Sequence, residues 1–244
     1  SVGNSPAAVA IADLDADGHQ DAVTVNSGPD TMSVLHGIGD GVFFVGGQFA
    51  VGTNPSAIVL ADLSGDALPD AVVANNGSDD VSVRLGNGDG TFESVTSYTA
   101  GDQPAALALG DLSGDGALDL VVANSASDNI SVRTGNGLGT FGPAVQYSAG
   151  DQPRSVALGD LDGDGLLDVV VANFGAWTIS VRLSTGAFAT QTLLAVSQAP
   201  RSVEVADVDA DGRLDVLIVA TGSEYFGVIS GNGDGTFGTL ALYA

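Results

Sequence analysis

Cysteine and lysine are absent from the sequence, and tryptophan and methionine occur once each. The lack of cysteine excludes disulfide bonds and zinc-thiolate sites. All 6 basic residues are arginine, against 30 aspartate and glutamate residues, which gives a formal net charge of −24. Because so acidic a chain cannot neutralise phosphates, nucleic acid and anionic membrane surfaces are poor partners; we expect no nucleic acid to bind, and cations are the natural complement.

Long hydrophobic runs are also absent. No apolar segment is long enough to cross a bilayer, and the first residues lack the basic start and apolar stretch of a signal peptide. We therefore expect no membrane insertion, and an exported protein would already have lost its signal. Aromatic residues make up only 6% of the chain, whereas glycine contributes 35 of its 244 residues. This composition is typical of many short strands joined by tight turns.

An acidic stretch recurs five times along the chain. Its first residues are separated by 49, 49, 49 and 47 positions and are Asp13, Asp62, Asp111, Asp160 and Asp207. The period predicts five repeats, over residues 1–49, 50–98, 99–147, 148–194 and 195–243. Each repeat contains four short strand-like segments separated by turn residues, as in one propeller blade. We therefore predict a single all-β domain over residues 1–244, a β-propeller of five four-stranded blades. Its repeats either close into a ring or belong to a longer array.

Each acidic stretch carries acidic or hydroxyl side chains at positions 1, 3, 5 and 9 of a loop between the first and second strands. The five sets are Asp13, Asp15, Asp17 and Asp21; Asp62, Ser64, Asp66 and Asp70; Asp111, Ser113, Asp115 and Asp119; Asp160, Asp162, Asp164 and Asp168; and Asp207, Asp209, Asp211 and Asp215. Alternate residues of a curled loop point to a common centre, where carboxylates repel each other unless a cation lies among them. Solvated acidic turns are the alternative, but fivefold recurrence in register favours metal binding.

Calcium fits these loops better than magnesium, because it accepts six to eight oxygens in a flexible shell. We expect the backbone carbonyl at position 7 to join the ligands, from His19, Leu68, Ala117, Leu166 and Arg213. Glycine at position 6 of four loops permits the necessary turn, whereas Ala67 in the second loop predicts the weakest site. The sequence thus predicts up to five Ca²⁺ ions. Extracellular calcium modules bind with dissociation constants of about 10⁻⁴ to 10⁻³ M, which favours a secreted or cell-surface protein.

These motifs resemble a known family. The D-x-D-x-D-G-x-x-D loop, V-V-A-N at 121–124, S-V-R at 82–84 and G-N-G-D-G-T-F at 86–92 are similar to the FG-GAP or VCBS repeat. The resemblance implies a β-propeller like the integrin α-chain head and certain calcium-containing fungal lectins, with calcium in the loop between the first and second strands. Familiar members mostly have seven blades, whereas five repeats are present here. Because the family includes adhesion modules, lectins and domains of extracellular enzymes, the fold does not choose the function.

Residues that recur at the same place in several repeats are predicted to be structural. One such set is aromatic and contains Phe43, Phe92, Phe141, Phe188 and Phe237. A second set, Arg84, Arg133 and Arg182 in the third strand, predicts an ion pair or a carbonyl contact between blades.

Residues that break the repeat are candidates for ligand binding. In repeats four and five, the connections between the second and third strands are predicted to contain Phe174, Trp177, Tyr225 and Phe226. Arg154 and Arg201 occur only in these two repeats, on the same predicted face. Aromatic rings beside arginine suit sugar rings and the acidic groups of a glycan or a protein. Alternatively, these loops cover themselves with their own aromatic side chains.

No catalytic set stands out. His36 precedes a hairpin turn, the aspartates are best explained as metal ligands, and Glu204 and Glu224 are the carboxylates left for catalysis. We therefore predict a non-enzymatic, calcium-binding extracellular recognition module, which binds a glycan in a lectin-like manner or adheres to a protein partner. The alternatives are a structural repeat unit of a larger extracellular assembly and a non-catalytic domain of a secreted enzyme.

Overall fold

A computed structural model describes residues 2–184, 188, 190–222 and 226–243. Over these residues the chain forms twenty strands and no helix. The strands are arranged in five four-stranded antiparallel sheets, and the order within each sheet is the order along the chain. Each sheet corresponds to one predicted repeat, and we number them blades 1 to 5. The predicted all-β propeller of five four-stranded blades is thereby confirmed.

The strand boundaries follow the repeat. Blade 1 consists of β1 (Pro6–Ala12), β2 (Asp21–Asn26), β3 (Thr31–Gly37) and β4 (Phe43–Ala50). Blade 2 consists of β5 (Pro55–Ala61), β6 (Asp70–Asn75), β7 (Asp80–Arg84) and β8 (Thr96–Thr99). Blade 3 consists of β9 (Pro104–Gly110), β10 (Asp119–Asn124), β11 (Asn129–Arg133) and β12 (Val145–Ser148). Blade 4 consists of β13 (Pro153–Gly159), β14 (Asp168–Asn173), β15 (Thr178–Arg182) and β16 (Thr192–Ala195). Blade 5 consists of β17 (Pro200–Ala206), β18 (Asp215–Ala220), β19 (Phe226–Gly231) and β20 (Phe237–Tyr243).

The hydrophobic core lies between the blades. The second strands of blades 1 to 4 are buried along their whole length, and in blades 2, 3 and 4 a neighbouring blade covers each face. This explains their continuous apolar sequences, such as VVA at 72–74, in place of the alternation expected of a sheet with one wet face. The four buried clusters each combine residues of two consecutive blades. Each blade is therefore stabilised chiefly by its neighbours.

The recurrent arginines join consecutive blades. The Nη2 atom of Arg84 donates to the carbonyl oxygen of Ala50, the last residue of the preceding blade, at 2.8 Å. Arg133 and Arg182 donate in the same way to the carbonyl oxygens of Thr99 and Ser148. All three guanidinium groups also lie over an aromatic ring of the preceding blade, at 5.3 to 5.6 Å from its centroid. The predicted carbonyl contact between blades is therefore confirmed.

The five blades form an open arc. Inner strands contact one another in the order β1, β5, β9, β13 and β17, and no comparable contact joins β17 to β1 among the described residues. The side chain of Phe43 in blade 1 is 47% exposed, whereas Phe92 at the same place in blade 2 is 7% exposed and packs on Phe49. We call the uncovered side of blade 1 the leading face, which contains Val9, Ile11 and Phe43, and that of blade 5 the trailing face, which contains Val208, Phe226 and Tyr243.

Candidate functional site

The acidic loops share one backbone conformation. In each loop the N–H of the residue at position 6 donates to the carboxylate at position 1, for example Gly116 to Asp111 at 2.8 Å. The residues at positions 4 and 6 both have positive φ, for example 75° at Gly114 and 87° at Gly116. Position 6 was predicted as the turn, whereas the second left-handed residue at position 4 was not. These two left-handed residues, separated by one residue, curl the loop around the first aspartate.

The aspartate at position 9 has a structural role that sequence reasoning missed. In each blade its side chain is at most 1% exposed; the five are Asp21, Asp70, Asp119, Asp168 and Asp215. In blade 3, Asp119 accepts the N–H of Leu112 at 3.0 Å and the N–H of Gly135, just beyond the third strand, at 2.8 Å. The other four make the equivalent pair of hydrogen bonds. This carboxylate therefore ties the acidic loop to the third strand of its own blade.

The first and ninth aspartates of one loop have opposite electrostatic tendencies. Burial raises the pKa of Asp119, and likewise the pKa of Asp70 and Asp168. In contrast, the backbone N–H of Gly116, helped by neighbouring N–H groups, lowers the pKa of Asp111. Because the pKa of Asp119 is raised on folding, its burial reduces stability once the pH rises through that pKa in the metal-free protein. A cation among these oxygens would offset this cost.

Three loops have side-chain geometry that suits a cation. Carboxylate oxygens converge to within 4.8 Å of one another in blades 1, 4 and 5; the sets are Asp13, Asp15 and Asp17; Asp160, Asp162 and Asp168; and Asp207, Asp209 and Asp215. The Oδ1 atom of Asp13 is also buried without a hydrogen-bond partner. Converging carboxylates of this kind fit the all-oxygen shell of calcium. In the described residues of blades 2 and 3, where Ser64 and Ser113 occupy position 3, no such carboxylate set is found. Cation sites there remain predictions.

Replacement of Ala67 by glycine is expected to stabilise blade 2. Ala67 has a φ of +66°, where glycine occupies the other four loops, and a left-handed non-glycine residue costs about 1 to 2 kcal/mol. The free energy of unfolding of Ala67→Gly, measured by urea denaturation, should therefore rise by about 1 kcal/mol. The mirror variant Gly116→Ala should lose a similar amount, because an added Cβ there meets no atom within 4 Å and only the φ of 87° opposes it. Equal stability of both variants and the parent would contradict this account.

A second candidate site lies at the opposite end of the inner strands. Arg154 and Arg201 occupy equivalent places in blades 4 and 5, where blades 1 to 3 have small residues. Residues from all five blades line one cavity of ≈ 620 Å³, namely Ala7, Ser56, Asn76, Gln103, Ala105, Ser125, Arg154 and Arg201. We call this cavity the channel mouth. The two predicted arginines are thus brought together with hydroxyl and amide groups.

Neither arginine of the channel mouth forms an ion pair among the described residues. Among the described residues, no carboxylate lies within 4.0 Å of Arg154 or Arg201, whereas Arg213 pairs with Asp211 at 3.5 Å. Both side chains are exposed. The guanidinium carbon of Arg154 lies 4.7 Å from the ring centroid of Phe174, which orients it by a cation–π contact. Arg154 also lines a neighbouring cavity with Asp128 and Asp151, so the two arginines are cations without an ion pair on an acidic surface.

Trp177, between β14 and β15 of blade 4, replaces a structural aspartate of the repeat. The equivalent residues of blades 1 to 3 have the same left-handed backbone, and their Oδ1 atoms accept an N–H at the entry to the next blade, in the pairs Asp30–Asn54, Asp79–Gln103 and Asp128–Gln152. Trp177, with a φ of +55°, offers no such acceptor, and its side chain is 54% exposed. Blade 4 therefore lacks the hydrogen bond that this aspartate makes to the next blade, and it exposes an indole ring instead. The recurrence of aspartate in this place was the sequence signal that could have identified the exchange.

Two of the remaining candidates lie elsewhere. Phe226 was predicted in a connection, but it is the first residue of β19 and stacks on Tyr243 with ring centroids 5.3 Å apart, so that prediction was wrong. Glu204 lies at the place where Ala10 and Ala157 pack against the following blade, which puts it on the trailing face. Tyr225 and Glu224 lie outside the described residues.

The fold and its loops define a repeat-built β-propeller with acidic loops at one end of the inner strands. The family model described as an FG-GAP-like repeat matches residues 13–73, 63–122, 111–171 and 160–218. The chain therefore belongs to the FG-GAP-like repeat family, as the sequence motifs predicted. No curated protein matches the chain.

Solved structures share the fold at low sequence identity. Virginiamycin B lyase from Staphylococcus aureus has a TM-score of 0.67 and 12% identity, over 98% of this chain and 70% of that one. A protein from Lactobacillus plantarum has a TM-score of 0.69 and 20% identity, over 97% and 70%. A putative 6-phosphogluconolactonase from Bacteroides fragilis has a TM-score of 0.66 and 11% identity, over 92% and 70%. Named enzymes thus occur among proteins with this fold.

In the part of the chain that the structure describes, no helix has the length and apolar character needed to span a membrane.

Proposed function

We propose that the protein is a non-enzymatic recognition module that binds cations in its acidic loops and an acidic glycan at the channel mouth. The observation that carries this proposal is the pair Arg154 and Arg201, which line one polar cavity without a carboxylate within 4.0 Å in the described chain. Like charges that converge in this way are stabilised by an anion between them. A carboxylate or sulfate of a sugar supplies such an anion.

The channel mouth offers the other groups that a sugar needs. Guanidinium groups bind carboxylates and sulfates through paired hydrogen bonds, so Arg154 and Arg201 would orient the acidic substituent. Ser56, Ser125 and Gln103 in the wall of the same cavity can exchange hydrogen bonds with sugar hydroxyls. The exposed ring of Trp177 can cover the apolar face of a sugar.

The acidic loops would act at a distance from this ligand, since they lie at the other end of the inner strands. Calcium, when bound, would neutralise converging carboxylates and fix the loops in their curled conformation. The carboxylates of blades 1, 4 and 5 would hold it, with the ninth aspartates of blades 4 and 5 among the ligands. Loops of moderate affinity fill at extracellular calcium concentrations, of the order of 10⁻³ M, which supports a secreted or cell-surface location.

A structural role in a larger extracellular assembly is the second candidate, and a specific observation favours it. Phe43 and Tyr243 on the leading and trailing faces are 47% and 49% exposed. Exposed apolar surfaces of this kind commonly contact other protein. The channel mouth could also receive an acidic segment of a protein partner, and the same arginines would bind it.

The variant Trp177→Asp tests the glycan proposal, because it restores the residue that the repeat uses in blades 1 to 3. We expect the affinity for uronic-acid oligosaccharides to fall by roughly tenfold or more, which is about 1.4 kcal/mol. Isothermal titration calorimetry at about 2 mM calcium would measure this affinity. The free energy of unfolding should rise by about 1 kcal/mol, because a hydrogen bond between blades is regained. Loss of binding and gain of stability in one variant would separate ligand contact from folding.

Two controls accompany this experiment. The double variant Arg154→Gln and Arg201→Gln should abolish binding of acidic sugars, while Asp128→Ala in blade 3 should lower stability without an effect on binding. Neutral oligosaccharides of the same length should not bind the parent protein. Equal binding of neutral and acidic sugars, or binding unaffected by the loss of both arginines, would contradict the proposal.

A further inference from the structure

The acidic loop of blade 1 differs from the other four because an imidazole enters it. His36 in β3 stands where the later blades have Leu85, Thr134, Leu183 and Ser230. Its Nδ1 atom lies 3.1 Å from Oδ2 of Asp15 and 3.7 Å from Oδ2 of Asp21, the third and ninth residues of the loop. Asp15, Asp21 and His36 therefore present three possible metal-ligating atoms to one point.

Two polar atoms at this loop are buried without a hydrogen-bond partner. They are Nδ1 of His36 and Oδ1 of Asp13. The short distance from Nδ1 to Asp15 lacks the alignment of a hydrogen bond, so it leaves the imidazole nitrogen unsatisfied. Buried polar atoms are normally hydrogen-bonded or bound to an ion. Two buried atoms without hydrogen-bond partners at one loop therefore indicate that the loop binds a cation.

The separations of these atoms match those of ligands that share a small cation. Bonds of about 2.0 to 2.2 Å to one ion place neighbouring ligand atoms roughly 3.0 to 3.6 Å apart. The distance of 3.1 Å from His36 Nδ1 to Asp15 falls within that range, and the distance of 3.7 Å to Asp21 lies just above it. The two hydrogen bonds that Asp21 accepts, from Leu14 and Gly37, hold its carboxylate in place and leave lone pairs free for a metal.

The neighbouring blade holds the imidazole in position. A side chain at Gly90, in the hairpin turn of blade 2, would collide with the His36 ring, so the ring packs directly on the backbone there. The N–H of Gly90 donates to the carbonyl oxygen of Leu14 in the same acidic loop, at 3.0 Å. The ring is thus held between the loop of blade 1 and the turn of blade 2, with 26% of its side chain exposed, and is oriented before any ion binds.

We propose that Asp15, Asp21 and His36 form a transition-metal site in blade 1, distinct from the oxygen-only loops of blades 4 and 5. Imidazole is a common ligand of zinc and related first-row ions, whereas calcium takes oxygen ligands. Two carboxylates and one imidazole nitrogen leave a fourth tetrahedral position for water, as in zinc sites with an open position. Blade 1 therefore binds Zn²⁺ in preference to calcium.

Imidazole NMR provides the test, because the chain has only 2 histidines, His19 and His36. Zinc is titrated into the nitrogen-15-labelled protein in excess calcium, which fills the oxygen-only loops. We expect the Nδ1 signal of His36 to move and to saturate at one equivalent, while the His19 signals stay in place. Calcium alone should move the Nδ1 signal of His36 much less than zinc does, because calcium takes oxygen ligands and would not bond to the imidazole.

The matched variant is His36→Leu, which introduces the residue that blades 2 and 4 carry at this place. Zinc affinity should fall by at least about tenfold, since even the loss of an indirect partner of a metal ligand costs 10- to 100-fold. Calcium binding should be unchanged, and His19→Gln should leave zinc binding intact. A zinc shift confined to His19, or equal zinc affinity of His36→Leu and the parent, would overturn the proposal and leave His36 as an ion-pair partner of Asp15.

Discussion

Addition of calcium to the chelated protein is expected to raise its melting temperature by on the order of 10 °C at millimolar concentration. A site filled to ten times its dissociation constant contributes about 1.4 kcal/mol to stability. Carboxylates converge in the loops of blades 1, 4 and 5, so two or three filled sites contribute about 3 to 4 kcal/mol. For a chain of this length, each kcal/mol shifts the melting temperature by about 2 to 4 °C.

Differential scanning calorimetry with parallel calorimetric titration would measure this effect. Magnesium is the control, because its preference for a small octahedral shell predicts a much smaller shift at equal concentration. The triple variant Asp15→Asn, Asp162→Asn and Asp209→Asn removes one carboxylate from each converging set and should lose most of the response. An unchanged melting temperature at 10 mM calcium or above would show that the acidic loops are turns without a metal.

Removal of the buried carboxylate of Asp119 is expected to destabilise the protein severely, even without calcium. The variant Asp119→Ala removes the acceptor of the buried N–H of Leu112 and of the partly buried N–H of Gly135. Each unsatisfied group costs about 1 to 3 kcal/mol, so the free energy of unfolding should fall by about 2 to 6 kcal/mol. Urea denaturation in the presence of a chelator, followed by circular dichroism, would measure this loss.

Asp115→Ala in the same loop is the matched control. Asp115 accepts only the exposed N–H of Ala117 among the described contacts, at 2.9 Å. Its loss should therefore cost under about 1 kcal/mol in chelator. Similar losses for the two variants in chelator would mean that the ninth aspartate serves the metal alone and has no separate structural role.

Most of the fold could be predicted from the sequence, because the same pattern of strands and turns recurs about every 49 residues. Alternation and turn residues identified four strands per repeat, and the recurrence of Arg84, Arg133 and Arg182 predicted the contact between blades. Phe226 was placed in a connection and lies in β19. At an element boundary, backbone pairing with Tyr243 decides the assignment, and that pairing has no local signature in the sequence.

The site was predictable in composition and less so in arrangement. Positions 1, 3, 5 and 9 of the loops follow from spacing alone, but the two backbone donors that hold Asp119 come from other parts of the blade. The approach of His36 to Asp15 also depends on how the third strand lies beside the loop. Contacts between strands become visible only when the blade is assembled, whereas contacts within a loop can be deduced from its order of residues.

Because the arc is open, the five blades form a linear stack in which each blade chiefly contacts its neighbours along the chain. Blades 2, 3 and 4 have a neighbour on each side, whereas blades 1 and 5 each have one, since among the described residues no contact between β17 and β1 is comparable to those between the other inner strands. In such a stack, stability is the sum of intrinsic blade terms and nearest-neighbour couplings. Opening therefore begins at the two ends and moves inward. Blade 1 carries the His36 cluster and blade 5 carries Arg201. Ions or ligands bound there would therefore stabilise the two blades that open first.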